Sequence, residues 1–209
     1  MNASRVTQKY VREHPSVADC LARGLVNYSA LAREICAATG IESFDAVLIA
    51  CRRMRAKHRA KQNNEKKIFQ LLKSAKVRIR NKIVVIIVDK AGNLEKALAL
   101  QKFVRADRGD FNLIEGEDVF TLVTNLDYLT RARESFEGKL RKVSKQLVQI
   151  SMLFDESLES VPGVVANIYR LFAENNINIR EEMSCWTEVM IIIDEQDIAK
   201  AMQLLSGLS

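Results

Sequence analysis

Apolar positions recur at helical spacing through residues 4–60. Val17, Cys20 and Leu21 share a helix opened by Ser16 and closed at Gly24. Leu31, Ile35 and Ala38 share one opened by Ser29 and closed at Gly40. Phe44, Val47, Leu48, Cys51 and Met54 mark a third, opened by Ser43. Asn63-Asn64 interrupts the pattern, and Glu65–Lys73 predicts a further short helix with Ile68, Leu71 and Leu72 on its apolar face. The period then changes. Residues 75–80 alternate apolar and basic, as a strand with one solvated face does, Asn81 marks a turn, and Ile83–Val88 is apolar throughout, predicting a central strand.

From Lys82 the pattern repeats. The first copy predicts strand Lys82–Val88, helix Leu94–Val104, strands Phe111–Glu115 and Val119–Thr124, helix Tyr128–Phe136 and strand Leu140–Lys145. The second predicts strand Leu147–Phe154, helix Val164–Glu174, strands Ile177–Met183 and Val189–Asp194, and helix Ile198–Leu205. Both follow the ferredoxin-like order, a sheet with two helices on one side. The second copy lacks a closing strand, and the strand Lys76–Arg80 lacks a partner, so Lys76–Arg80 is expected to close it. The expected class is α+β: an all-helical module over 1–62, a connecting helix and strand over 63–81, and two ferredoxin-like (βαββαβ) domains over 82–146 and 147–209. The first of these is expected to be inserted in the second.

The 209 residues hold 48% apolar and 28% charged side chains with 8 Gly and 2 Pro, which excludes a disordered or low-complexity chain. No apolar run approaches the ~20 residues of a membrane span, and the N-terminal string MNASRVTQKYVREHP reads as no secretory signal. A soluble, cytoplasmic protein is expected. Cys20, Cys36, Cys51 and Cys185 have no C-x-x-C spacing and sit among apolar neighbours, so they read as buried, inert thiols. With His14 and His58 the only histidines, no metal or cofactor is expected.

The net charge of +6 is unevenly spread: zero over residues 1–51, +12 over 52–82 and −6 over 83–209. That asymmetry suits a nucleic-acid-facing part joined to an acidic part, and equally a solvated basic helix face with a linker. Three short helices, the last amphipathic and carrying Arg52, Arg53, Arg55, Lys57 and Arg59, fit a helix-turn-helix module, with those five residues as candidate DNA contacts. Tyr10, Tyr28 and Phe44 read as core.

Residues 148–205 carry a strand, an acidic loop, the string V-P-G-V at 161–164, an amphipathic helix, N-I-N-I and a hairpin into VMIIIDEQDIAKAMQLL. This stretch resembles an ACT domain, the small-molecule-sensing module of amino-acid biosynthetic enzymes. The first copy resembles it loosely, with Asp89–Asn93 in place of the V-P-G loop. The insertion of one copy in the other is similar to the aspartokinase regulatory region. With the string LVNYSALAREI, the chain resembles archaeal predicted regulators of amino-acid metabolism that join a helical module to tandem ACT domains.

The loop has a chemistry of its own. Pro162 pre-sets a helical first turn, and Gly163 lets a ligand approach the backbone. The amides of Gly163, Val164 and Val165, with Val161 leading in, form a receptor for a carboxylate, and Asp155 and Glu156 offer acceptors to an ammonium group. The plainer alternative is a Pro-initiated helix behind a solvated loop. The resemblance implies ligands where two ACT modules meet, which adds Asn178 and Ile179. Trp186, at the tip of the Cys185–Thr187 hairpin, is either an interface residue or a partly buried turn residue.

Strings such as P-loop, G-x-S-x-G, G-x-G-x-x-G and H-E-x-x-H are missing, and Glu181-Glu182, adjacent in a strand, point to opposite faces. A non-enzymatic regulator is expected, in which ACT modules bind an amino acid and bias a basic helical module that contacts DNA, as a homodimer formed through the ACT domains. The alternative is an interaction protein whose ACT modules dimerise and bind no metabolite.

Overall fold

The computed structural model describes residues 2–58 and 62–207. The chain divides into two compact units, Met1–Ile68 and Phe69–Ser209.

In the first unit, four helices, α1 (Ala3–Glu13), α2 (Pro15–Arg23), α3 (Tyr28–Thr39) and α4 (Phe44–His58), surround one core. Leu21, Ile35 and Val47 are fully buried there, each contributing ~1.5–3 kcal/mol of burial free energy. Tyr10, Tyr28 and Phe44 pack into the same cluster, as the pattern predicts. The helix starts differ from those read off the sequence. Pro15 occupies the first turn of α2, so Ser16 lies inside the helix rather than capping it. The cap of α3 is Asn27, whose Oδ1 accepts from the amides of Ser29 and Ala30 at 3.1 Å, so Ser29 too is inside its helix. Gly24 and Gly40, at φ 75° and 69°, close α2 and α3 as expected. A further helix, α5 (Gln62–Ser74), contains Asn63 and Asn64, which therefore do not break it.

The second unit is built on a six-stranded antiparallel sheet in the order β2-β3-β1-β4-β6-β5. Its strands are β1 (Lys76–Asp89), β2 (Phe111–Glu115), β3 (Val119–Asn125), β4 (Leu140–Leu153), β5 (Ile179–Cys185) and β6 (Glu188–Asp194), with helices α6 (Leu94–Ala106), α7 (Leu129–Ser135), α8 (Val164–Glu174) and α9 (Ile198–Ser206). Two strands of 14 residues form its centre, and each serves twice. Lys76–Arg80 of β1 pairs with Gln149–Leu153 of β4, while Ile83–Asp89 pairs with β3 on one side and with the first half of β4 on the other.

No turn falls at Asn81, and β4 is not two strands. The chain runs on through both places, stepping register at Lys82 and Gln146, which adopt φ of 55° and 57°. The two α-β connections match as well: Arg108 after α6 and Asn176 after α8 both take positive φ, and the next amides, of Gly109 and Ile177, close on the carbonyls of Val104 and Phe172 at 2.8 and 3.0 Å.

Val84, Ile86 and Val88 pack with Ala97, Leu100 and Val104 of α6 in one core. On the opposite face, Ile83, Val85, Val123, Leu147 and Ile192 form a second cluster, with Met183 against it. The edge strands β2 and β5 line one cleft of about 720 Å³ although they stand first and last in the sheet, so the sheet curls until its edges face each other. Among the described residues no helix is long and apolar enough to cross a membrane.

Candidate functional site

The loop between β4 and α8 is ordered by its own polar groups. The Asp155 carboxylate accepts from the Ser157 amide at 2.8 Å and from the Ser157 hydroxyl, opening a 3₁₀ turn over Glu156–Ser160. Those hydrogen bonds hold the Asp155 carboxyl below its usual range. Leu158 is buried and pins the turn, while Glu156 stays exposed. The Val161 amide donates to Ser157 O at 3.2 Å, and Gly163 follows at φ 99° and ψ 0°, a conformation that favours glycine. Val164 is buried beneath the first turn of α8 and Val165 half-buried. The Gly163 carbonyl is engaged by Asn167 through its amide at 3.0 Å and its side chain at 2.8 Å. The first amides of α8 have no intrahelical acceptor, and no acidic residue stands in its first turn.

The corresponding loop after β1 is closed by its own chain. Asp89 pairs with Arg141 and Lys90 with Glu115 at 2.6 Å. The buried Asn93 side chain donates to Asp89 O at 2.9 Å and Ala91 O at 3.2 Å, and Glu95 already occupies the first turn of α6. The two loops thus differ in charge at the helix start: α6 carries Glu95 in its first turn and α8 carries no acid there.

Asn178, exposed, and Ile179, half-buried, are not brought to that loop. Ile179 pairs with Ile193 beside the Leu147 end of β4, whereas Asp155 to Val165 follow its Leu153 end. The length of α8, ~16 Å at 1.5 Å per residue, separates the two groups. The paired carboxylates diverge as expected. Glu182 lies near the Tyr169 hydroxyl, whose pKa is raised by burial and then by that carboxylate, while Glu181 has its carboxyl pushed up by desolvation, partly offset by the charge of Lys142.

In the helical unit, Arg52 and Arg53 are exposed on α4 between the buried Cys51 and Met54, and Arg55 and Lys57 follow on the same helix. Arg59 lies outside the described residues. Among the thiols, Cys51 is buried and Cys20 and Cys36 half-buried, but Cys185 is exposed, correcting the expectation of a buried thiol. The cause is its place at the end of edge strand β5, next to Trp186, which is 62% exposed at φ 50°. The sequence pattern carries no sign of the β2–β5 cleft. Nothing in a single strand announces that two edges far apart in sequence will face each other.

The sheet architecture is shared with regulatory regions of aspartate kinases. The chain is 14% identical to the Clostridium acetobutylicum aspartate kinase, with a TM-score of 0.52 over 63% of this chain and 34% of that one. It is 14% identical to the ligand-free regulatory subunit of aspartate kinase from Thermus thermophilus, with a TM-score of 0.51 over 65% of this chain and 97% of the subunit. A structure of aspartokinase alpha and beta subunits matches at 18% identity and a TM-score of 0.52, over 66% and 95% of the two chains. The chain therefore spans about a third of the clostridial enzyme's length and nearly all of the regulatory subunit's. No family model matches the chain, and no curated protein matches it. The second unit thus has an ACT-type, aspartokinase-regulatory fold.

Proposed function

We propose that this protein is a non-enzymatic, amino-acid-sensing regulator: its sheet unit binds a small amino acid and biases the helical unit, whose basic helix contacts DNA. The observation that carries the reading is the difference between the two equivalent loops. One is tied down by the Lys90–Glu115 pair and by Asn93 donating to Asp89 O and Ala91 O, and α6 carries Glu95 in its first turn, while the other has no acid in the first turn of α8 and leaves Glu156 exposed to meet a zwitterion. We read the first repeat as inserted in the second, since the halves of β1 and β4 belong to different repeats, and expect a homodimer through the sheet units. The helix-turn-helix assignment rests on the short, glycine-closed helices ahead of Arg52 and Arg53.

A thermal-shift screen against the common amino acids tests the reading. A true effector at ~100 times its Kd stabilises by ~2.7 kcal/mol, and a flat response to every amino acid would overturn it. The second reading, an interaction protein binding no metabolite, is favoured by the exposed Trp186 at the β5–β6 turn. It predicts that Trp186→Ala shifts the oligomeric state in light scattering while no amino acid changes stability.

A further inference from the structure

Three sulfur-bearing side chains meet at one corner of the sheet. Met183 of β5 pairs in register with Met190 of β6. Cys185 stands two residues beyond Met183, on the same strand face. In-register partners hold their Cβ atoms ~4.5–5.5 Å apart, and neighbours two along a strand lie ~7 Å apart. Those separations are within reach of the flexible thioether arms. All three residues line the cleft between β2 and β5. Met190 is 8% exposed, Met183 half-buried and the free thiol of Cys185 exposed, so the set is graded from floor to mouth.

The fold itself does not ask for sulfur here. At the equivalent register of the first repeat, Ile114 pairs with Thr121, and Gly116 follows two residues after Ile114. Of the two carboxylates that share the cleft, Glu115 binds Lys90 at 2.6 Å, and Glu182 is adjacent in sequence to Met183 and so points to the other face of β5, near the Tyr169 hydroxyl. Among the described residues no group of three His, Cys, Asp or Glu side chains is placed to hold a metal. The donors that Met183, Cys185 and Met190 bring to one face are two thioethers and one thiol, a set that prefers a soft monovalent cation over Zn²⁺ or a hard ion.

We propose that Met183, Cys185 and Met190 form a three-sulfur site for Cu(I). The metal enters as Cu⁺, the Cys185 Sγ–H bond breaks with its proton released to solvent, the Cu–S bond forms, and copper stays monovalent throughout.

Full-length protein is titrated anaerobically with Cu(I) held by bicinchoninate, and retention against the chelator is measured. Cys185→Ser should remove one equivalent, and Met183→Leu and Met190→Leu should each weaken that equivalent at least tenfold, with Zn²⁺ giving no comparable retention. Leucine nearly conserves methionine's volume, so the fold should survive, as circular dichroism would verify. Unchanged retention in the double Met→Leu variant places the metal on other cysteines and overturns the proposal. X-ray absorption at the copper edge of the wild-type protein is independent of any variant: three sulfur neighbours support the site, and two overturn it.

Discussion

Gln149 and Glu181 stand on one row of the sheet, joined in register through Ile192, and each is a polar group held away from water. The Gln149 side chain is 1% exposed; its Nε2 donates to Ser151 Oγ at 3.1 Å, but its Oε1 has no partner. A buried acceptor left unpaired costs ~1–3 kcal/mol, more than the single hydrogen bond returns. Gln149→Met should therefore stabilise the protein by ~1 kcal/mol, seen as a higher urea midpoint at unchanged slope. Loss of stability would mean that Oε1 is satisfied in solution. Glu181 carries a pH dependence. Desolvation raises its carboxyl pKa in the folded state, and Lys142 offsets only part of this. The folded form therefore holds this proton more tightly than the unfolded chain. Its contribution is complete at low pH and is lost as pH rises from the ~4.3 of an unfolded glutamate through the raised folded value. Glu181→Gln should accordingly raise the melting temperature near neutrality and leave it unchanged at about pH 3. A gain at both pH values would point to packing rather than charge.

Helix α8 is the element on which the ligand reading depends, because its first turn has unpaired amides and no acid. Valine at Gly163 would be a poor probe, since φ 99° strains any side chain there whether or not a ligand binds. Ala166→Glu is the better one. It places a carboxylate at the third helical position, where it reaches back to the capping amide and favours the helix dipole. The variant should be as stable as wild type or more so by ~0.3–1 kcal/mol, while any amino-acid-induced thermal shift disappears. A retained shift would move the site away from this helix. Element by element, the sequence was informative where hydrophobic period and punctuation agree: Phe111–Glu115 and Val164–Glu174 occupy the predicted spans. It was silent where a non-glycine residue takes a left-handed turn. Lys82 and Gln146 look like ordinary strand residues, so two long strands read as four short ones. The capping errors have the same origin. Asn27 and Ser29 are both capping residue types, and only the backbone decides which one stands at the helix start. Of the candidate site, Asp155 through Val165 was legible as a contiguous loop, whereas Asn178 and Ile179 were attached by resemblance and lie at the other end of α8.

Across the whole molecule the basic excess does not belong to the helical module alone. Of the run over 52–82, Lys76, Arg78, Arg80 and Lys82 stand on β1, where Arg80 is held by Asp110 at 3.2 Å. The DNA reading is therefore tested on α4. Duplex binding should weaken with salt on a log–log slope near −5, as for ~6 neutralised phosphates. Arg52→Glu with Arg53→Glu should flatten that slope by ~2. Binding that ignores both changes would remove α4 from the interface. If the sheet unit then regulates the helical one, the two ligands are bound by linkage. An amino acid that changes DNA affinity by some factor must find its own affinity changed by the same factor when DNA is present, typically ~5–150-fold for an allosteric pair. Both factors are measurable on the full chain, by fluorescence anisotropy of labelled duplex with and without the amino acid and by calorimetry of the amino acid with and without duplex. Equal factors above unity establish a sensor coupled to its reader. An amino acid that binds with no effect on DNA affinity would leave two independent binding units on one chain and sink the regulatory reading.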